Sequence, residues 1–181
     1  MKLSKTLILA FVAFAGFTAQ AQITVVGGEK MYPKKNIVEN AVNSADHTTL
    51  VAAVKAAGLV DVLMSEGPFT VFAPVNDAFE NLPAGTVESL LKEENKETLT
   101  AVLTYHVVPG NLDASDLKKQ VTKGRGKAVL TTVQGGKLTV EMNGNNLVLI
   151  DENGNRSNIS IQDVKQSNGV IHVIDSVVLP G

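Results

Sequence analysis

The sequence predicts an α+β domain in which helices come first and antiparallel strands follow. Three observations support this fold class. Apolar residues recur at helical spacing between residues 36 and 64, and an apolar, β-branched run interrupts the helices at residues 69–73. From Val121 onward the apolar pattern changes to a period of two, broken by turn residues. Because helices and most strands occupy separate parts of the chain, we expect them to form separate layers.

The N-terminus, residues 1–21, has the pattern of a secretory signal peptide. Lys2 and Lys5 precede an apolar stretch at residues 7–17, and Ala19-Gln20-Ala21 matches an A-x-A cleavage site. The alternative is a membrane anchor, but the apolar stretch is too short to cross a bilayer core of about 30 Å unaided. We therefore expect a mature chain that starts near Gln22, has no membrane span and is secreted or periplasmic.

Composition excludes several classes of protein. The chain has no cysteine, which excludes disulfides, thiol chemistry and a lipidated cysteine. The formal net charge of −2 becomes −4 when Lys2 and Lys5 leave with the signal. Such an acidic chain is a poor partner for nucleic acid, whose binding depends on neutralising phosphates. Tryptophan is absent and aromatics are few, which argues against stacked-aromatic recognition of sugars or single strands.

The first part of the mature chain is predicted to be helical after an N-terminal segment at residues 22–35. Asn36 is placed to open one helix, and the residues after Asp46 and His47 open a second. Gly58 is expected to end that second helix as a C-cap, and residues 59–64 form a further helical turn. The N-terminal segment contains Gly27-Gly28 and Pro33 and has no sustained period, so it predicts no regular element.

Residues 69–79 hold the central element of the domain. Residues 69–73 are too short for a core helix and are predicted to be a buried strand. Pro74 cannot continue a ladder, so the strand should stop there. Asn76 is expected to cap the short helix that follows, with Asp77 at the positive end of its dipole.

Two helices and a strand are expected between residues 86 and 110. Thr86 is placed to cap the first helix, and the second covers residues 96–104. Tyr105-His106-Val107-Val108 predicts a strand ended by a Pro-Gly turn. Asp113 or Ser115 can cap a last short helix that runs through Leu117.

The remaining residues predict antiparallel strands joined by tight turns. Gly135-Gly136, Asn143-Gly144 and Asn153-Gly154 are strong hairpin signals, and Ser167-Asn168-Gly169 is a fourth turn. The last strand, from Val170, is apolar almost throughout, so we expect both of its faces to be covered.

Three segments together are similar to the fasciclin (FAS1) domain family. They are Thr70-Val71-Phe72-Ala73-Pro74-Val75-Asn76-Asp77-Ala78-Phe79, Tyr105-His106-Val107-Val108, and Asn168-Gly169-Val170-Ile171-His172-Val173-Ile174-Asp175-Ser176-Val177-Val178-Leu179-Pro180. They occur in the family's order, and the resemblance implies one fasciclin domain at residues 36–181. It implies a wedge of two packed antiparallel β-sheets with several helices along one edge. Members of the family are secreted or surface-attached, act in adhesion or matrix contacts, and mostly are not enzymes.

The same resemblance singles out Tyr105, His106, Asn76 and Asp77 as a candidate adhesion or core motif. The family's tyrosine–histidine pair has been linked to adhesion, and its histidine is described as hydrogen-bonded within the core. A neutral imidazole in an apolar strand needs both ring nitrogens satisfied. Asp77 or Asn76 is the expected partner of His106, and direct contact of His106 with a ligand is the alternative.

No constellation in the sequence predicts catalysis, a cofactor or a metal. His172 is expected to be a core or rim histidine and His47 a solvated loop residue, and the three histidines lack metal-site spacing. Asp151, Asn153 and Asn155 resemble the start of a calcium loop, but the glycine and glutamate that such a loop needs are missing, so a hairpin turn is favoured. Gly124-Arg125-Gly126-Lys127 lacks the context of a phosphate-binding loop and predicts a mobile basic loop.

Two functional hypotheses remain. The first is a secreted, non-enzymatic binding module, expected to be a monomer, that mediates adhesion or matrix contacts with a protein or glycan. The second is a periplasmic or extracellular carrier of a small lipid or glycan. An enzyme is not predicted, because no nucleophile, paired carboxylates or metal ligands emerge.

Overall fold

A computed structural model describes residues 23–181 and confirms the α+β class. The predicted signal peptide, residues 1–21, lies outside this part of the chain. Within residues 23–181, no helix is long and apolar enough to cross a membrane. The helices are α1 (Ile37–Ala41), α2 (Thr48–Ala57), α3 (Val60–Met64), α4 (Asn76–Glu80), α5 (Thr86–Leu90), α6 (Lys96–Tyr105) and α7 (Ala114–Lys123). The strands are β1 (Thr24–Val26), β2 (Glu29–Met31), β3 (Phe69–Pro74), β4 (Val107–Pro109), β5 (Lys127–Thr131), β6 (Lys137–Asn143), β7 (Asn146–Ile150), β8 (Arg156–Gln166) and β9 (Gly169–Ile174).

The N-terminal segment contains a small hairpin that the sequence pattern did not predict. Strands β1 and β2 pair antiparallel around a turn at Gly27 and Gly28. Strands of three residues are too short to show a period, which is why the segment looked irregular. Val26 and Met31 are buried in the core beside the helices. The buried amide of Asn40 holds the end of the segment through the backbone N–H and carbonyl of Tyr32, both at 2.9 Å.

Seven strands form one hydrogen-bonded order, β4-β3-β9-β8-β7-β6-β5. Neighbouring strands pair antiparallel except for β3 and β9, which are parallel. The long strand β8 pairs with β7 through its first residues and with β9 through the rest, with register shifts on either side of Ile161. A β-bulge bends a strand and increases its twist, so β8 turns the sheet between its two halves.

Strand β3 separates two hydrophobic clusters. Val71 and Ala73 belong to the cluster under the helices, while Phe72 belongs to the cluster covered by α7 and strands β5–β7. Successive side chains of a strand point to opposite faces, so β3 supplies both clusters. Ile171, Val173 and Ile174 of β9 divide in the same way. The expectation that the last strand is covered on both faces is confirmed.

Several predicted helix ends are confirmed. Asn36 and Glu39 form a capping box at the start of α1. Gly58 ends α2 with φ +73°, a left-handed conformation that favours glycine. Helix α7 is capped by Asp113, whose side chain accepts from the backbone N–H of Asp116 at 2.8 Å. This helix continues to Lys123, beyond the predicted end. The prediction stopped early because the last turns are polar and only Val121 marks their buried face.

The two-cluster arrangement makes Phe72 a test of the core. Phe72 is 0% exposed, and its ring stacks on His172 with 5.6 Å between centroids. We expect Phe72→Ala to lower the free energy of unfolding by about 3–5 kcal/mol, because it removes buried surface and leaves a cavity. Chemical denaturation measures this change.

Val129→Thr is the matched control, because Val129 is 61% exposed on β5 and threonine keeps the β-branch. It should change stability by less than about 0.5 kcal/mol. Equal effects of the two substitutions would contradict the burial of Phe72 in the cluster covered by α7 and strands β5–β7.

Candidate functional site

Tyr105 and His106 lie at a junction between a helix and a strand. The prediction of a strand starting at Tyr105 is wrong: Tyr105 is the last residue of α6, His106 is its C-cap, and β4 begins at Val107. The aromatic and β-branched composition of the segment favours a strand locally, but the buried face of α6 continues through Leu103 to Tyr105. Tertiary packing therefore outweighs local propensity here.

His106 is buried and has both ring nitrogens bonded to backbone. Nδ1 lies 2.8 Å from the carbonyl oxygen of Val102, and the backbone N–H of Val178 donates to Nε2 at 3.2 Å. These partners assign the proton to Nδ1 in a neutral ring. Burial lowers the pKa of His106 to about 4, although the Val102 carbonyl acts in the opposite direction. The expected partner, Asp77 or Asn76, is wrong, and His106 instead anchors the C-terminal segment.

Tyr105 is fully buried, and its hydroxyl links two backbone groups. The hydroxyl donates to the carbonyl of Lys137 at 2.6 Å and accepts from the N–H of Glu152 at 3.2 Å. Burial raises the pKa of Tyr105 to about 12. A Cβ on Gly136 would lie 2.8 Å from the Tyr105 ring, so the β5–β6 turn needs glycine there. Tyr105 thus holds the two hairpin turns against α6.

Asn76 does not cap its own helix, contrary to prediction. Its Oδ1 accepts from the N–H of Thr49 at 3.0 Å and from the hydroxyl of Thr48 at 3.2 Å, and its amide donates to the carbonyl of Ala45 at 2.8 Å. Asn76 therefore caps the start of α2 from across the fold. Asp77 is exposed in the first turn of α4. Of the four motif residues, Tyr105 and His106 are therefore buried together, the Asn76 amide links α4 to the start of α2, and Asp77 lies at the surface.

His172 is a core histidine, as predicted. Its Nε2 lies 2.8 Å from the carbonyl of Leu112, and its Nδ1 faces the N–H of Asp163 at 3.4 Å. Burial lowers the pKa of His172, and the Leu112 carbonyl partly opposes that effect. The ring therefore ties the segment before α7 to the sheet.

His47 is buried, so the prediction of a solvated loop residue is wrong. The Ser44 hydroxyl lies 2.8 Å from Nδ1, and Nε2 has no hydrogen-bond partner among residues 23–181. Burial lowers the pKa of His47. In the sequence, His47 looks like part of a polar turn before α2. It is buried because Asn76 holds the start of α2 against the segment after β3.

An apolar cavity of about 90 Å³ lies in the cluster under the helices. Its walls come from α1, α2, α3, β3 and β9 and are almost entirely aliphatic, with Leu50, Val54, Leu63, Val71 and Ile171 among them. Pockets that hold drug-sized ligands measure about 300–1,000 Å³. The cavity has room for a few carbon atoms and not for a lipid.

The turn that resembled a calcium loop is held by backbone donors. Asp151 is buried, and its carboxylate accepts from the N–H groups of Asn153, Asn155 and Leu179 at 2.8–3.0 Å. The predicted hairpin turn is confirmed. In the described part of the chain, no three His, Cys, Asp or Glu side chains converge into a possible metal site.

A basic groove of about 650 Å³ runs along α7. It lies between one face of the helix, with Lys118, Lys119 and Lys123, and the bend of β8 at Gln162 and Asp163. The segment Gly124-Arg125-Gly126-Lys127 follows the C-terminus of α7, whereas a phosphate-binding loop precedes the N-terminus of a helix.

Comparisons with known proteins agree with this geometry. The model of the fasciclin domain matches residues 45–180. The chain is 46% identical to protein sll1483 of Synechocystis sp. over 96% of each chain, and 37% identical to the immunogenic protein MPB70 of Mycobacterium bovis over 77% of this chain and 66% of that one. It is 39% identical to the transforming growth factor-beta-induced protein ig-h3 of Sus scrofa, over 72% of this chain and 17% of that protein.

A solved structure shares the fold. The domain pair of the insect cell adhesion molecule fasciclin I matches with a TM-score of 0.71 at 21% identity, over 80% of this chain and 51% of that one. The strand order and this structural match therefore define a fasciclin-type fold. The chain belongs to the fasciclin domain family.

Asn76 and Asp77 provide a matched test of the cap. We expect Asn76→Ala to lower the free energy of unfolding by about 1 kcal/mol, because the N–H of Thr49 loses its acceptor. Asp77→Ala changes an exposed side chain and should stay within about 0.5 kcal/mol. Thermal and urea unfolding measure both. A larger loss for Asp77→Ala would refute the assignment.

His106 makes stability depend on pH. Its pKa is about 4 in the folded chain and near 6.5 when unfolded, so the unfolded state binds more protons between those values. The contribution of His106 to the free energy of unfolding is therefore fully present above pH 6.5. It is lost as the pH drops toward 4, which lowers the free energy of unfolding by about 3 kcal/mol. Urea unfolding at pH 7, 5.5 and 4 should show this decline, and His106→Gln should show a shallower one. Parallel declines would exclude His106 as the source.

Proposed function

We propose that this protein is a non-enzymatic binding module that acts outside the cytoplasm and mediates adhesion or matrix contacts. Family membership supports the proposal, and the structural match is to a protein described as a cell adhesion molecule. The signal-peptide pattern of residues 1–21 supports export. The partner is proposed to be a protein or glycan at a cell surface or matrix, and the module to be a monomer.

The observation that carries this proposal is that the polar atoms of Tyr105 and His106 are all used in hydrogen bonds within the fold. Both nitrogens of His106 and the hydroxyl of Tyr105 are bonded to backbone groups of other elements. A general base or nucleophile needs a free atom within reach of a substrate. The buried pair supports the domain, so binding is assigned to the outer surface. We accordingly propose no catalytic role.

The carrier hypothesis receives less support. A cavity of about 90 Å³ is well below the volume that a lipid needs. The polar groove along α7 is open to solvent, which suits a surface contact better than an enclosed cargo. We therefore retain binding at a surface as the proposed activity.

Attachment assays test the proposal. Host cells that lack the protein should attach less to matrix-coated surfaces than cells that contain it, and returning the intact protein should restore attachment. The Phe72→Ala protein is the control, because its weakened core should restore attachment less well. Unchanged attachment on polysaccharide- and protein-coated surfaces alike would overturn the proposal.

A further inference from the structure

The strongest concentration of positive charge in the chain lies on α7 and the turn after it. Residues 118–127 contain five of the sixteen lysines and arginines, in a chain whose formal net charge is −2. The basic residues are Lys118, Lys119, Lys123, Arg125 and Lys127. Lys127 opens β5 and pairs with Glu141 at 2.9 Å, so the charge of α7 itself comes from its three lysines. A local excess of one sign in a chain of the opposite net charge creates a field that attracts counter-charged partners.

Helical spacing gathers part of this charge on one face. Ser115, Lys118, Lys119, Thr122 and Lys123 recur three and four residues apart, so they form one stripe of α7. Ala114, Leu117 and Val121 occupy the opposite, buried face. The lysine side chains are therefore directed away from the core and cannot be turned inward without unpacking α7.

The lysines are not neutralised within the fold. Lys119 pairs with Asp116 at 3.2 Å, but both side chains are exposed and such pairs contribute little. Lys118 and Lys123 have no acidic partner within 4 Å in residues 23–181. The carboxylate of Asp163, across the groove, accepts from the N–H of Ala114 at 2.7 Å and is engaged in capping α7.

The stripe borders an open groove. The bend of β8 brings Gln162 and Asp163 beside the stripe, and the space between the two elements measures about 650 Å³ and is open to solvent. Asp163 has φ +60°, at the register shift between Ile161 and Val164 where β8 bends.

We propose that this groove binds an acidic polysaccharide whose carboxylate groups pair with Lys118, Lys119 and Lys123. Lys119 and Lys123 lie one helical turn apart, about 5–6 Å between Cβ atoms, so a polymer with a charge on each sugar reaches both. Ser115, Thr122 and Gln162 supply hydrogen bonds for sugar hydroxyls.

Other polyanions fit the groove less well. None of its lining residues is aromatic, whereas single-stranded nucleic acids are held by base stacking on aromatic side chains. None of them is a large apolar residue of the kind that inserts into a membrane surface. The inference rests on the proposed function, since it names a glycan as the matrix component that the binding module contacts.

Binding of alginate, a polyuronate, to the purified protein tests the inference. In 50 mM salt, alginate should bind and uncharged dextran should not, and added salt should weaken the complex. A triple variant, Lys118→Gln with Lys119→Gln and Lys123→Gln, should lose affinity by about tenfold or more. The control carries Lys30→Gln, Lys34→Gln and Lys92→Gln, which remove the same number of charges from exposed positions elsewhere and should leave binding intact.

Three outcomes would overturn the inference: no preference for alginate over dextran, equal losses in the two triple variants, or equally tight binding of polyglutamate or anionic lipid vesicles. Thermal unfolding of both variants establishes that they fold. The attachment assay separates this inference from the proposed function. If attachment depends on the protein but alginate does not bind, only the proposed binding of an acidic polysaccharide is refuted. If alginate binds but the protein has no effect on attachment, only the proposed adhesive role is refuted.

Discussion

The parallel pairing of β3 with β9 is the constraint on which the rest of the fold depends. It joins residues 69–74 to residues 169–174, so it encloses most of the domain in one loop of chain. Both strands are buried on both faces, and the ring of Phe72 stacks on His172 in the register where the two residues are partners. Parallel strands need a long crossover connection. Here that connection contains helices α4–α7 and strands β4–β8, which therefore have to pack around the central pair.

Buried polar side chains hold the segments of the chain that lie outside the sheet ladders. His106 holds Val178, His172 holds the carbonyl of Leu112, and Asp151 holds Leu179. In each case a side chain satisfies a backbone group that has no ladder partner, as burial requires. Neutral imidazoles suit this role, because one nitrogen donates and the other accepts. Burial lowers the pKa of His106 and of His172, and the backbone carbonyls that they contact act in the opposite direction.

Features with a local cause could be predicted from the sequence, and features that depend on distant contacts could not. Pro74 ends β3, Gly58 ends α2, and Gly135-Gly136 joins β5 to β6, because each residue restricts or permits backbone conformations on its own. The partners of His106, the burial of His47 and the target of Asn76 depend on which elements come together, and local sequence does not encode that. The parallel direction of β3 and β9 was missed for the same reason. The charged stripe of α7 was also missed, because the helix was predicted only through Leu117, and the groove beside it depends on the bend in β8.

Tyr105 and His106 lie in the interior, and the basic stripe of α7 lies on the outer surface. Tyr105 and His106 are committed to the interior, so a change at either alters stability before it alters recognition. The basic stripe on α7 uses none of the atoms that hold the core: Leu117 and Val121 pack inward while the lysines face outward. Substitutions on the polar face of such a helix change stability little. The surface along α7 is therefore free to be adapted to one partner without cost to the β3–β9 pair beneath it.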